Sequence, residues 1–124
     1  MINVLCVIAG SIVGGLSRYY LAGLVQRISG SSFPYGTLAV NLTGCLLIGF
    51  IASAAGVRFS LNAPARVLLI TGFCGAFTTF SAFMVESDFL LKNGQGWLTL
   101  LNILISLFGG FALFRFGTLL GKLI

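Results

Sequence analysis

Four long apolar runs alternate along the chain with three short polar connections. The runs cover about residues 2–25, 35–57, 65–91 and 97–120, and the connections read RISGSSFP, RFSLNAPAR and KNGQG. Each run reaches the roughly 20 residues an α-helix needs to cross a hydrocarbon core. Pro34 and Pro64 stand at the start of the second and third runs, where a missing N–H costs little. Trp97, Tyr35 and the Tyr19–Tyr20 pair lie near run ends, where amphipathic rings favour the headgroup interface. The pattern predicts an all-α membrane protein. It is one domain over residues 1–124, with four transmembrane helices, no linker and no internal duplication.

Composition identifies the solvent. Of 124 residues, 58% are hydrophobic and 7% charged, and the mean hydropathy is +1.11. A water-soluble domain of this size has too much surface to hide that much apolar material. The seven basic residues give a formal charge of +5. They are scattered singly, as headgroup anchors are, and form no cluster that could track nucleic-acid phosphates. There is no histidine, and the acids are Glu86 and Asp88 alone. That inventory leaves little for general acid–base or metal-ligand chemistry, so an enzyme is not expected. Cys6, Cys45 and Cys74 lie within apolar runs and read as small packing residues. The opening MINVLCVIAG lacks a basic n-region and a cleavage site, and reads as the first span rather than a signal peptide.

Small residues recur at helical spacing in three runs: Cys6, Gly10, Gly14 and Ser17; Cys45, Gly49, Ala52 and Gly56; Ser106, Gly110, Gly117 and Gly121. Steps of three, four and seven put each set on one face, where helix backbones can approach closely. Charge gives little guidance on orientation. One face of the membrane receives Arg58, Arg66 and Lys122, the other Arg27 and Lys92. Counting Arg115 with the first face and Arg18 with the second leaves four against three. A bias this weak is compatible with one fixed orientation or with dual topology, in which inverted copies meet as a dimer.

The third run carries polar residues at its middle, in TGFCGAFTTFSAF. A continuous helix of about 27 residues would reach roughly 40 Å, against a core of ~30 Å. Tilt could absorb the excess, and so could a non-helical break at residues 75–79. Gly75 relaxes backbone limits there, and Thr78 and Thr79 can bond neighbouring carbonyls. A break would free backbone groups at a depth where each unsatisfied one costs several kcal/mol, so another helix, water or a cation must meet them. A continuous helix packed through Gly and Thr is the other reading. Phe77, Phe80 and Phe83 follow on one face. They are either lipid-facing bulk or rings whose positive edges attract an anion without binding it fully. Asn41 is either interhelical glue or a pore amide. Arg18 either snorkels to the interface or draws anions toward a vestibule. Glu86, ionisable within a span, is a functional candidate by default.

Three stretches together resemble the fluoride channels of the Fluc/CrcB family: GGLSRYY in the first run, FPYGTLAVNLTGCLLIGF around the second and TGFCGAFTTFSAFMVE in the third. The resemblance covers nearly the whole chain. It implies a fluoride-selective channel that passively exports fluoride across the inner (cytoplasmic) membrane and confers fluoride resistance. It also implies an antiparallel, dual-topology homodimer with two pores and a third helix broken near mid-membrane. By motif position, Asn41 is the pore-lining amide, Phe80 and Phe83 are ring-edge fluoride contacts, and Ser81 lies beside the rings. Thr79 completes the TTFS motif, Glu86 matches the glutamate that follows, and Arg18 matches the vestibule arginine. Gly75 and Thr78 correspond to backbone carbonyls that hold a structural sodium ion at the dimer centre. Ala82 and Met84 stand where the family commonly has hydroxyls, which thins the polar track.

Two other functions fit a short four-helix membrane protein. A transporter of the small multidrug-resistance type needs a carboxylate in its first span, where this chain has Arg18 and no acid. A non-transporting assembly subunit would use the same motifs for packing alone. No Walker-type phosphate loop is present to couple transport to ATP.

Overall fold

The computed structural model describes residues 1–57 and 61–123. Arg58, counted above among the charges of one face, lies outside the described residues. Five helical segments follow in order: α1 (Ile2–Ser29), α2 (Tyr35–Val57), α3 (residues 63–77), α4 (Phe80–Lys92) and α5 (Gly96–Leu123). Four stretches are long and apolar enough to cross a bilayer: Ile2–Ser29, Tyr35–Gly56, Ala63–Lys92 and Gly96–Leu123. The third contains both α3 and α4.

Local chemistry sets the ends of these segments. α1 closes on Gly30, which takes the left-handed φ of 58° that glycine adopts without strain and bonds back to the Gln26 carbonyl. α3 opens on Asn62, whose Oδ1 accepts from the Ala65 N–H at 3.0 Å, with Pro64 in the first turn. Gly94, at φ 74°, turns the chain from α4 into α5.

Glycines let backbones meet in two seams. A Cβ added to Gly10 would strike the Leu68 carbonyl oxygen, and one on Gly14 the Phe73 carbonyl oxygen, so α1 lies directly against α3. Across the other seam Gly49 faces the Phe114 carbonyl, Gly117 the Leu46 carbonyl and Gly121 the Phe50 carbonyl, so α2 lies against the second half of α5. In lipid, close van der Waals contact of this kind replaces water exclusion as the force between helices. The small-residue stripes are therefore used only in part. Ala52 and Gly56 of the second stripe are exposed, and a Cβ on Gly56 would meet nothing within 4 Å.

Two stretches wind more widely than an α-helix. Val67–Cys74 in α3 and Ile105–Gly109 in α5 are π-helical. Near one end of the bundle Phe33, Leu38 and Leu90 form a buried cluster, with Leu42, Leu98, Leu101 and Ile105 packed on it. Between α3 and α4 the backbone is extended at two residues, Thr78 (φ −84°, ψ 155°) and Thr79 (φ −148°, ψ 117°). Gly75 itself is helical at φ −64°, ψ −36°. The two threonines are β-branched and tolerate extended backbone well.

Candidate functional site

The two extended residues are held by side chains from other helices. In an unbroken helix the Thr79 N–H would donate to the Gly75 carbonyl. Here it donates to Asn41 Oδ1 at 2.8 Å, and Asn41 Nδ2 donates back to the Thr79 carbonyl at 3.0 Å. One amide from α2 thus satisfies both polar groups of Thr79, as a neighbouring strand would. Thr79 Oγ1 then accepts from the Ala82 N–H at 3.2 Å and caps α4. Thr78 sends its N–H and its hydroxyl to the Cys74 carbonyl, each at 3.1 Å. Its own carbonyl accepts from Arg18 Nη1 at 3.5 Å. Gly44 of α2 leaves room for the Thr78 methyl, which a Cβ there would strike.

Two cavities meet at this point, and Thr79 lines both. The larger, about 910 Å³, is bordered by Arg18, Gln26, Thr37, Ser81 and Glu86. Thr37 Oγ1 donates to Glu86 Oε1 at 2.6 Å, while Glu86 Oε2 is buried with no partner among the described residues. The smaller, about 300 Å³, is bordered by Asn41, Gly75, Thr78, Phe80, Phe83 and Ser106. The Phe80 and Phe83 rings are 5.6 Å apart and tilted by 42°. Phe83 is buried at 7% exposure, whereas Phe80 is 71% exposed in the single chain.

The residues singled out in the sequence therefore fall into two groups. Arg18, Ser81 and Glu86 share the larger cavity; Asn41, Phe80, Phe83, Gly75 and Thr78 share the smaller. Thr79 joins them. Ala82 borders the larger cavity, while Met84 is exposed and borders neither.

Three polar features were not anticipated. Ser106, grouped above with packing residues, has a buried hydroxyl in the wall of the smaller cavity with no partner among the described residues. Asn102 is 2% exposed and donates to Ser87 Oγ at 3.1 Å, while Thr99 Oγ1 donates to the Ser87 carbonyl at 3.3 Å, tying α5 to α4. The signal was present, since Thr99, Asn102 and Ser106 follow at steps of three and four on one face of an apolar run. Gln26 is the third. Its Nε2 donates to the Ser31 and Phe33 carbonyls at 2.7 and 3.1 Å, and its Oε1 accepts from the Gly36 N–H at 3.1 Å. No spacing rule marks a residue whose partners lie in a loop and at the start of the next helix.

A family model described as CrcB-like protein, Camphor Resistance (CrcB), matches residues 5–118. The chain belongs to the CrcB family. A family member from Maridesulfovibrio salexigens, named fluoride-specific ion channel FluC, is 45% identical over 120 residues, covering 97% of this chain and 95% of that protein. A protein of the same name from Chlorobaculum tepidum is 48% identical over 123 residues, 99% and 97% of the two chains. A third from Chlorobium phaeobacteroides is 50% identical over 116 residues, 93% and 89%. With its four apolar spans, this CrcB-family chain is a multi-pass membrane protein.

Proposed function

We infer that this chain is a fluoride channel, which passively exports fluoride across the cytoplasmic membrane. Full-length similarity to proteins named fluoride-specific ion channel supports the substrate. The observation that carries the path is the smaller cavity. Two phenylalanine rings, one amide and a hydroxyl without a partner among the described residues line it without a formal charge.

Fluoride is small and holds its water tightly, so a path must replace that shell with several donors at once. Arg18 in the larger cavity attracts the anion electrostatically. Ser81 and Thr79, whose hydroxyls are 3.3 Å apart, begin the exchange of water for protein donors. Asn41 keeps its second Nδ2 hydrogen for the anion while the first holds Thr79 in place. The positive edges of Phe80 and Phe83 and the Ser106 hydroxyl complete the shell. Because these groups are neutral, release stays fast. Glu86, held by Thr37, faces the larger cavity and orders its polar wall.

The functional unit in this reading is an antiparallel homodimer of dual topology with two pores. The near-even division of basic charge, four against three, supports it. So does the wide exposure of Phe80 beside the smaller cavity, a surface a second copy would cover. Thr78 and Thr79 form the mid-membrane break. The residues also fit a structural sodium ion. The Gly75 carbonyl has lost its Thr79 N–H donor to Asn41, Gly75 is exposed, and neutral carbonyl oxygens suit a hard cation of low charge. Gly75 O and Thr78 O would hold the ion, which would supply positive charge to balance their partial negative charge.

The deciding measurement is fluoride efflux from liposomes containing the purified protein, followed by a fluoride electrode with chloride as control. Fast fluoride release with chloride retained is expected. Absence of halide release would leave an assembly subunit, and proton-coupled uptake of organic cations would indicate a multidrug-type transporter.

A further inference from the structure

The guanidinium of Arg18 and the sodium site of the preceding reading make use of one oxygen. Arg18 leaves α1 inside the first span, is half-buried, and donates from Nη1 to Thr78 O at 3.5 Å. Among the described residues the one ion pair is Lys92 with Asp88, at 2.6 Å on the surface of α4. Arg18 therefore meets Thr78 O without an ion pair among the described residues, while Glu86 borders the same cavity. The larger cavity it borders gives the side chain space to leave that oxygen.

We propose that Arg18 sets the sodium affinity of the dimer by charge repulsion at Thr78 O. The proposal rests on the sodium reading above. A carbonyl oxygen has two lone pairs, so a guanidinium and a metal cation can approach it together. Two unit charges that share one carbonyl oxygen are only a few ångströms apart. At the dielectric of a half-buried site their repulsion costs the cation at least about tenfold in affinity. An anion drawn to Arg18 in the larger cavity would pull the guanidinium away from Thr78 O and strengthen sodium binding. By reciprocity, sodium would strengthen anion binding near Arg18.

The test is a sodium titration of dimer assembly, followed by energy transfer between donor- and acceptor-labelled copies in detergent. Conduction is not needed for the readout. R18Q and R18M are expected to lower the sodium concentration at half-assembly by at least about tenfold. R18K, which keeps the charge, should stay near the wild-type midpoint. An unmoved or raised midpoint in R18Q and R18M, with wild type sodium-dependent, overturns the role of Arg18 and leaves the sodium site standing. If R18Q fails to assemble at any sodium concentration while R18K assembles, Arg18 supports the dimer instead of opposing the ion, and the proposal is also overturned. Wild-type assembly indifferent to sodium removes the site and the proposal together.

Discussion

The two cavities on either side of Thr79 offer an ion opposite kinds of surroundings. The larger holds the charged groups, Arg18 and Glu86, in a roomy space of about 910 Å³. The smaller has about 300 Å³, no formal charge, two phenylalanine rings, one amide and one free hydroxyl. Charge acts at a distance and suits collection of anions from water. Neutral donors act only at contact, and can strip a hydration shell without trapping the ion that loses it. Thr79, which lines both cavities, has its N–H and its carbonyl held by one amide from another helix.

Asn41→Asp should erase this division most completely. A carboxylate cannot donate to the Thr79 carbonyl, and two oxygens would face each other at mid-membrane, a loss of several kcal/mol. Fluoride efflux should fall by roughly 100-fold or more, and the melting temperature in detergent should drop with it. A variant with wild-type efflux would remove Asn41 from the path. Phe80→Ile comes next. It keeps apolar bulk but removes the positive ring edge, so efflux should approach the background of empty liposomes while dimer and melting temperature are retained. Unchanged efflux would make the ring mere lipid-facing bulk. Ser106→Ala is the mildest. It deletes one donor worth about 1 kcal/mol and should slow efflux roughly three- to tenfold without loss of stability. A rate equal to wild type would return Ser106 to the packing stripe in which its spacing placed it.

The extended pair illustrates how far sequence reasoning reaches. TGFCGAFTTFSAF marked an unusual segment because glycine and threonine are out of place in a plain membrane helix. Glycine and threonine together suggested, as one of two readings, a break over residues 75–79; within that range Gly75 is helical and Thr78 and Thr79 are extended. The partner decided the outcome. A departure from the helix is stable only where something accepts the freed N–H, and Asn41 reaches Thr79, the residue whose helical bond to Gly75 is lost. Ser106 teaches a related point. At spacings of four and more from Gly110 and Gly117 it was indistinguishable from a packing residue. The π-helical turn over Ile105–Gly109 surrounds it, and its hydroxyl borders the smaller cavity instead of a backbone seam.

By itself, the sequence determined everything that depends on the solvent and on local chemistry. Apolar runs long enough for a bilayer must form helices there, because lipid offers their backbones no other hydrogen-bond partners. Gly30, Pro64 and Gly94 turn or start them where they stand. The tertiary structure alone decided which polar groups meet. Asn41 with Thr79, Thr37 with Glu86, Asn102 with Ser87 and Arg18 with Thr78 are all pairs distant along the chain. A hydrogen bond in lipid is specified by the position of both partners to within a few tenths of an ångström. Periodicity along one helix fixes a face but not the depth or neighbour it will find.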